Sequence, residues 1–307
     1  MLAEPRTKYL GIILGPMATL VSLSTQCLAG VCPYGTTSPG VDVSHYNGTI
    51  NWANVKAAGI VFAYAKATEG TTFTDPQFSA NWSGMKAAGV VRGAYAFFHA
   101  NLDPTTEADY YLSVVGTLQP GDLPPMLDVE ATDAQPAAVI AANVNIWVDH
   151  VQAATGLAPL IYTSPSFWTD SAGDSTVSPA VPLWIANWQV TCPSLPAAWT
   201  DWAIWQYSST GTVAGISGAV DLDEFNGTMS DLLAFADQPS LNIAWKSASQ
   251  VSITWSTFAT GFQLQQNSDL GMTNWVTVTN APSMVNNQEQ VIVETATNRT
   301  FFRLVHP

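Results

Sequence analysis

Short apolar runs recur along residues 40–223 and predict eight strands, at 40–44, 60–66, 90–98, 126–130, 159–162, 181–187, 202–206 and 218–223. Amphipathic stretches at 52–58, 75–88, 105–115 and 135–155 predict helices between the early strands, and 225–235 predicts a closing helix. The first five strands alternate with helices, whereas the later ones are joined by loops rich in Pro, Ser and Gly. The segments Val55-Lys56-Ala57-Ala58-Gly59-Ile60-Val61 and Met85-Lys86-Ala87-Ala88-Gly89-Val90-Val91 resemble each other at an offset of 30 residues. Each reads as a helix ended by glycine that turns into a buried strand. Alternation of this kind predicts an α/β fold, an irregular TIM-like barrel of the (β/α)5(β)3 type, with functional groups at the carboxyl ends of its strands. A doubly wound open sheet is the alternative, but no G-x-G-x-x-G follows a strand to support a nucleotide site.

The texture changes after Asp237-Gln238-Pro239-Ser240. Short alternating runs at 241–245, 251–255, 262–266, 275–278, 291–294 and 301–305 predict about six strands, a small all-β sandwich of the fibronectin type III kind. Trp245, Trp255 and Trp275 read as its core. The expected division is a signal peptide at 1–30, a catalytic barrel at 31–237 and an accessory β-sandwich at 238–307.

Arg6 and Lys8 ahead of an apolar run at 9–23, then small residues near Ala29 and Gly30, form a secretory signal pattern. No other stretch has the length of a bilayer span. After cleavage two cysteines remain, Cys32 and Cys192, candidates for one disulfide in an oxidising compartment. Of 307 residues 47% are hydrophobic, 10% are charged and 12 are Trp, which suits an extracellular sugar-active protein. Residues 31–237 carry 19 Asp and Glu against 4 Lys and Arg, whereas 238–307 carry 3 of each sign. So acidic a first half excludes nucleic acid and anionic membranes as partners.

Met126-Leu127-Asp128-Val129-Glu130 is the most informative stretch. In a strand Asp128 and Glu130 face the same way, about 6.6 Å apart at Cα, and repulsion makes one carboxyl keep its proton. A protonated and an ionised carboxyl side by side suit glycosidic bond cleavage. Read alone, the pattern also fits a strand end before a helix capped by Thr132 or Asp133. Asp42 and Asp221 also end predicted strands, so a barrel gathers four carboxylates at one face. Tyr95, Tyr162, Trp188 and Tyr207 sit at or just past strand ends, where flat rings suit stacking on sugars.

The residues Asp42-Val43-Ser44-His45-Tyr46-Asn47-Gly48, Lys66-Ala67-Thr68-Glu69-Gly70, Gly93-Ala94-Tyr95, Leu127-Asp128-Val129-Glu130, Leu183-Trp184-Ile185-Ala186, Trp205-Gln206-Tyr207 and Val220-Asp221-Leu222-Asp223 stand in the order of a known family. Residues 40–236 resemble glycoside hydrolase family 25, the Chalaropsis-type lysozymes or N-acetylmuramidases. The resemblance implies a secreted monomer that cleaves peptidoglycan glycan strands without metal or cofactor. By motif position Glu130 is the implied proton donor and Asp128 the group that steadies positive charge on the substrate, whose 2-acetamido oxygen can act as internal nucleophile. Asp42 and Asp221 match two further family carboxylates, and His45 is placed to line the cleft beside Asp42. Many members have His after the tyrosine of Gly-x-Tyr, where this chain has Ala96. Two rivals are a chitinase-like barrel, whose further aspartates ahead of D-x-E are replaced here by Pro124, Pro125 and Met126, and a wall-binding module without catalysis, which gains little from four clustered carboxylates.

Overall fold

The computed structural model describes residues 30–33, 35–175, 177, 181–236, 241–247, 249–256, 263–269, 274–285, 288–294 and 299–305. The signal pattern, up to residue 29, and the linker at 237–240 lie outside them.

The first unit runs β1 (Ser38–Val43), α1 (Trp52–Ala57), β2 (Phe62–Glu69), the two-residue β3 (Phe73–Thr74), α2 (Phe78–Ala88), β4 (Val91–Phe97), α3 (Pro104–Val115), β5 (Met126–Asp128), α4 (Ala137–Thr155), β6 (Leu160–Thr163), α5 (Pro165–Ser171), β7 (Leu183–Ala186), β8 (Ile204–Gly211), β9 (Val220–Phe225) and α6 (Met229–Ala236). The sheet order β1-β9-β8-β7-β6-β5-β4-β2, closed by pairing of β1 with β2, makes an eight-stranded barrel. Five helices follow the first five barrel strands and none separates the last three. Barrel neighbours among β1, β2 and β4 through β8 pair in parallel, but β9 runs antiparallel to both β8 and β1, and the short β3 is an antiparallel addition to β2. The loop from β8 to β9 holds no crossover helix, and a connection that short returns a strand antiparallel to its neighbour.

Local chemistry sets the helix ends. Asn51, Asp103 and Ser164 each accept a backbone N–H of the first turn, and Pro104 and Pro165 occupy first helical positions, where no N–H is needed. The two similar segments both end a helix at a glycine with positive φ, Gly59 at 98° and Gly89 at 70°. Neither Thr132 nor Asp133 caps the helix after β5: Pro136 precedes α4, and the Asp133 carboxylate accepts Ala100 N–H at 2.7 Å instead.

Period-two alternation divides the strands' side chains. Val41, Ala63, Ala65, Leu127, Val129 and Ile161 face outward into the shell of helices, while Phe62, Tyr64, Tyr95, Met126, Leu160, Tyr162, Trp184 and Ile204 fill the interior. The interior holds such rings only because two strands leave space for them. A Cβ on Gly40 would fall 2.2 Å from the Phe62 ring, and one on Gly93 2.2 Å from Tyr64. Cys32 and Cys192 form a disulfide that ties the segment before β1 to the loop after β7.

The second unit is all β. β10 (Asn242–Trp245), β11 (Gln250–Ser256), β14 (Ser283–Val285) and β15 (Gln288–Glu294) form one sheet in the order β10-β11-β15-β14. β12 (Gln263–Asn267), β13 (Val276–Thr277) and β16 (Phe301–Val305) form another in the order β13-β12-β16. Its core is Val251, Ile253, Trp255, Leu264, Val291 and Val293. The alternating pattern missed β14, which is only three residues long. Trp255 is core as expected, but Trp245 lies on an edge strand and is 72% exposed, and Trp275 is half-buried against the Arg303 guanidinium, 4.3 Å from its ring centre.

Candidate active site

The open end of the barrel, where the parallel strands finish, gathers the acids. Asp42 on β1 lies directly opposite Asp221 on β9. Asp221 does not end its strand, as a fully parallel barrel would require. It stands near the start of β9, and the reversed direction of that strand brings it to the same face. Asp128 ends β5, and Glu130 follows two residues later at the mouth, exposed, with Val129 between them turned outward and buried.

Burial and mutual repulsion push all of these carboxyls upward. Asp42 is raised well above the usual range by burial and then by Asp221, against a donor from Gln206. Asp128, only 8% exposed, is raised by burial and then by Glu130 and Asp42, and its Oδ1 has no hydrogen-bond partner. Partial desolvation by the surrounding mouth raises Glu130, whose outer face stays open to solvent, and burial raises Asp221. Lys66 acts in the opposite sense on both Asp128 and Glu130. This lysine is buried, pairs with Glu69 and lies 4.7 Å from the Phe97 ring centre.

Gln206 organises the aromatic side of the site. Its Nε2 donates to Asp42 Oδ2 at 2.7 Å, and its Oε1 accepts from the Tyr162 hydroxyl at 3.1 Å and from Trp188 Nε1 at 3.0 Å. Trp188 is thereby tethered at one edge while its ring remains 47% exposed. Tyr95 and Tyr162 are interior residues, and burial together with nearby carboxylates pushes both phenols well up. His45 is held by Asp75, which sits 2.7 Å from Nδ1 and accepts its backbone N–H at 2.9 Å. It lines a cleft of about 440 Å³ with Tyr46, Glu69, Phe73 and His99.

Tyr207 is not brought to this group. It alternates with Gln206, so it packs edge-on to Trp205 in an outer cluster with Leu183, Ile185 and Trp202. Ala96 likewise belongs to the outer shell, on the face of β4 that packs toward the helices. Residues missed as site members are Lys66, Gln206 and Asp223, although each falls inside a quoted motif. Asp223 had a signal: it is two residues from Asp221, hence on the same face.

The model of glycosyl hydrolases family 25 matches residues 41–216, more than half of the chain. The chain belongs to that family. Among family 25 relatives, lysozyme M1 of Streptomyces globisporus is 40% identical over 208 residues, covering 64% of this chain and 71% of that one. The crystal structure of the bacterial lysozyme from Streptomyces coelicolor superposes with a TM-score of 0.63 at 38% identity, covering 66% of this chain and 97% of that one. The Clostridium perfringens spore cortex lytic enzyme SleM shares the fold at 21% identity and a TM-score of 0.55, covering 84% of this chain and 87% of that one. That overlap is too long for the barrel alone and extends into the second unit. The family 25 barrel is therefore a glycoside hydrolase fold with its acids at the open end.

Proposed function

We propose that this family 25 hydrolase is a secreted lysozyme that cuts the β-1,4 bond from N-acetylmuramic acid to N-acetylglucosamine in peptidoglycan. The observation that carries the reading is the convergence of Asp42, Asp128, Glu130 and Asp221, each with its carboxyl held above the ordinary range. Asp128 and Glu130 titrate as a pair, one proton between them over the working range. Glu130 stands at the mouth, reachable by a leaving-group oxygen, and a bound sugar covers it and strengthens its hold on the proton. In this account Glu130 protonates the departing oxygen. Asp128 stays behind it, and its carboxylate accepts the N–H of the substrate's 2-acetamido group, orienting that group's oxygen toward the anomeric carbon. Asp42 and Asp221 supply the negative field that favours the developing positive charge. The exposed face of Trp188 offers a stacking surface, and His45 borders the neighbouring cleft.

The signal pattern and the Cys32–Cys192 disulfide support export, and among the described residues no helix is long and apolar enough to cross a membrane. The second unit's two antiparallel sheets, of four and three strands, enclose one apolar core, which supports a fibronectin type III-like sandwich that begins after the linker at 237–240.

Incubation with purified peptidoglycan and, separately, with chitin oligosaccharides tests the reading by mass spectrometry of new reducing ends. N-acetylmuramic acid ends from peptidoglycan, with chitin oligosaccharides left intact, are expected. N-acetylglucosamine ends, cleaved chitin, or binding without cleavage would overturn it.

A further inference from the structure

Asp223 is a buried acid that the account above does not use. It lies on β9 one alternation deeper than Asp221, facing Gly40 across β1 and Gln206 across β8 in the sheet register. Its exposure is 0%. Its Oδ1 accepts Trp184 Nε1 at 3.1 Å. Its Oδ2 is sealed from solvent and receives no donor, and Asp42 stands on β1 two residues from the Gly40 that faces Asp223, near enough for its charge to oppose ionisation of Asp223. Two carboxyl groups can bond to each other only if one of them carries a proton.

The two partners differ in what surrounds them. Asp42 is partly exposed and receives an amide donor from Gln206, both of which favour its anion. Asp223 has neither solvent nor a second donor. The charged groups facing Asp223 are Asp42 on β1 and Asp221 on its own strand, both of which oppose its ionisation, and the neighbours around Trp184 are the neutral rings of Tyr64 and Tyr162.

We propose that Asp223 is a positioning residue that stays protonated, donates its proton as a hydrogen bond to Asp42, and thereby holds Asp42 as the anionic member of the pair with a fixed orientation beneath the cleft. The proton never leaves the pair during turnover, so the step transfers no group. Gln206 and Asp223 grip Asp42 from two sides, one through an amide and one through an acid. The direction of the shift agrees, since burial and then Asp42 raise the Asp223 carboxyl well above the usual range. The proposal rests on the lysozyme reading for its catalytic consequence, but the protonation itself does not.

Asp223→Asn keeps the shape, a donor for Asp42 and an acceptor for Trp184, and Asp223→Leu keeps only the bulk. Infrared difference spectra of the full chain at neutral pH should show a protonated-carboxyl carbonyl band in the parent that Asp223→Asn lacks. On peptidoglycan, Asp223→Asn should stay within a few-fold of the parent, whereas Asp223→Leu should lose about tenfold or more in kcat with little change in KM, as expected for losing a hydrogen bond to a charged group. If the parent cleaves no peptidoglycan, the lysozyme reading fails while the infrared band still decides the proton's place. An unchanged band in Asp223→Asn, or an Asp223→Asn loss equal to that of Asp223→Leu, would overturn the proposal. Where Asp223→Leu does not fold, the band and the Asp223→Asn rate decide alone.

Discussion

On the β1–β9 side of the barrel, Asp42, Asp221 and Asp223 come from two antiparallel neighbours, and Asp42 and Asp223 are met by neutral donors, the Gln206 amide and the Trp184 indole. On the β5 side, Asp128 and Glu130 leave the end of one parallel strand and feel a cation, Lys66. The first group is dry at its base and fixed by hydrogen bonds. The second has a carboxyl, that of Glu130, exposed at the mouth. The difference teaches how one functional group serves two ends. In the proposed account the donor-held carboxyls set a field, and the carboxyl exposed at the mouth is the one a substrate reaches.

The sharpest way to break this division is to neutralise the mouth. Glu130→Gln should lower kcat on peptidoglycan by about 10²–10⁴-fold, the contribution of a general acid, with the thermal midpoint unchanged. Asp128→Asn should cost less, about 10–10²-fold, since the amide keeps an oxygen that can still orient the acetamido N–H; equal losses from both variants would argue against separate roles.

Stability probes the sealed acids. A carboxyl raised on folding adds stability that is complete below its unfolded value and is lost as pH rises through its folded value. The buried Glu107, raised from 4.5 to about 7 by burial, sets the window. Urea unfolding should therefore show a decline on the order of 3 kcal/mol between pH 4.5 and 7 from this group, and Glu107→Gln should flatten it. The smallest effect concerns the cation. Lys66→Met removes a charge that lowers Asp128 and Glu130, so both limbs of the kcat/KM profile should move to higher pH; an unmoved profile or a shift to lower pH would show that Lys66 does not act on the pair.

Much of this was legible in the chain. Asp42 and Asp128 fall at the ends of apolar runs, and Glu130 follows one, so strand counting alone located them. The position of Asp221 was legible but its strand's direction was not, because alternation has the same period in either sense and only the lack of a crossover before residue 220 decides it. Tyr207 was placed by nearness to a strand end, when the face it occupies, opposite that of Gln206, was the informative quantity. Gln206 and Lys66 gave no signal of their own, since one amide or amine within an apolar strand acquires meaning only from what the closed barrel puts opposite it. Trp245 read as core by residue type, but sheet order makes β10 an edge.

The most direct test of the division of labour compares Glu130→Gln on two substrates: the natural glycan, and an aryl glycoside of the same sugars whose leaving group departs without protonation. The account predicts a loss of at least about 10²-fold on the glycan and only a few-fold on the aryl glycoside, because a proton donor matters only where the departing oxygen needs one. Equal losses on both would contradict Glu130 as the acid and return the role to another of the gathered carboxyls.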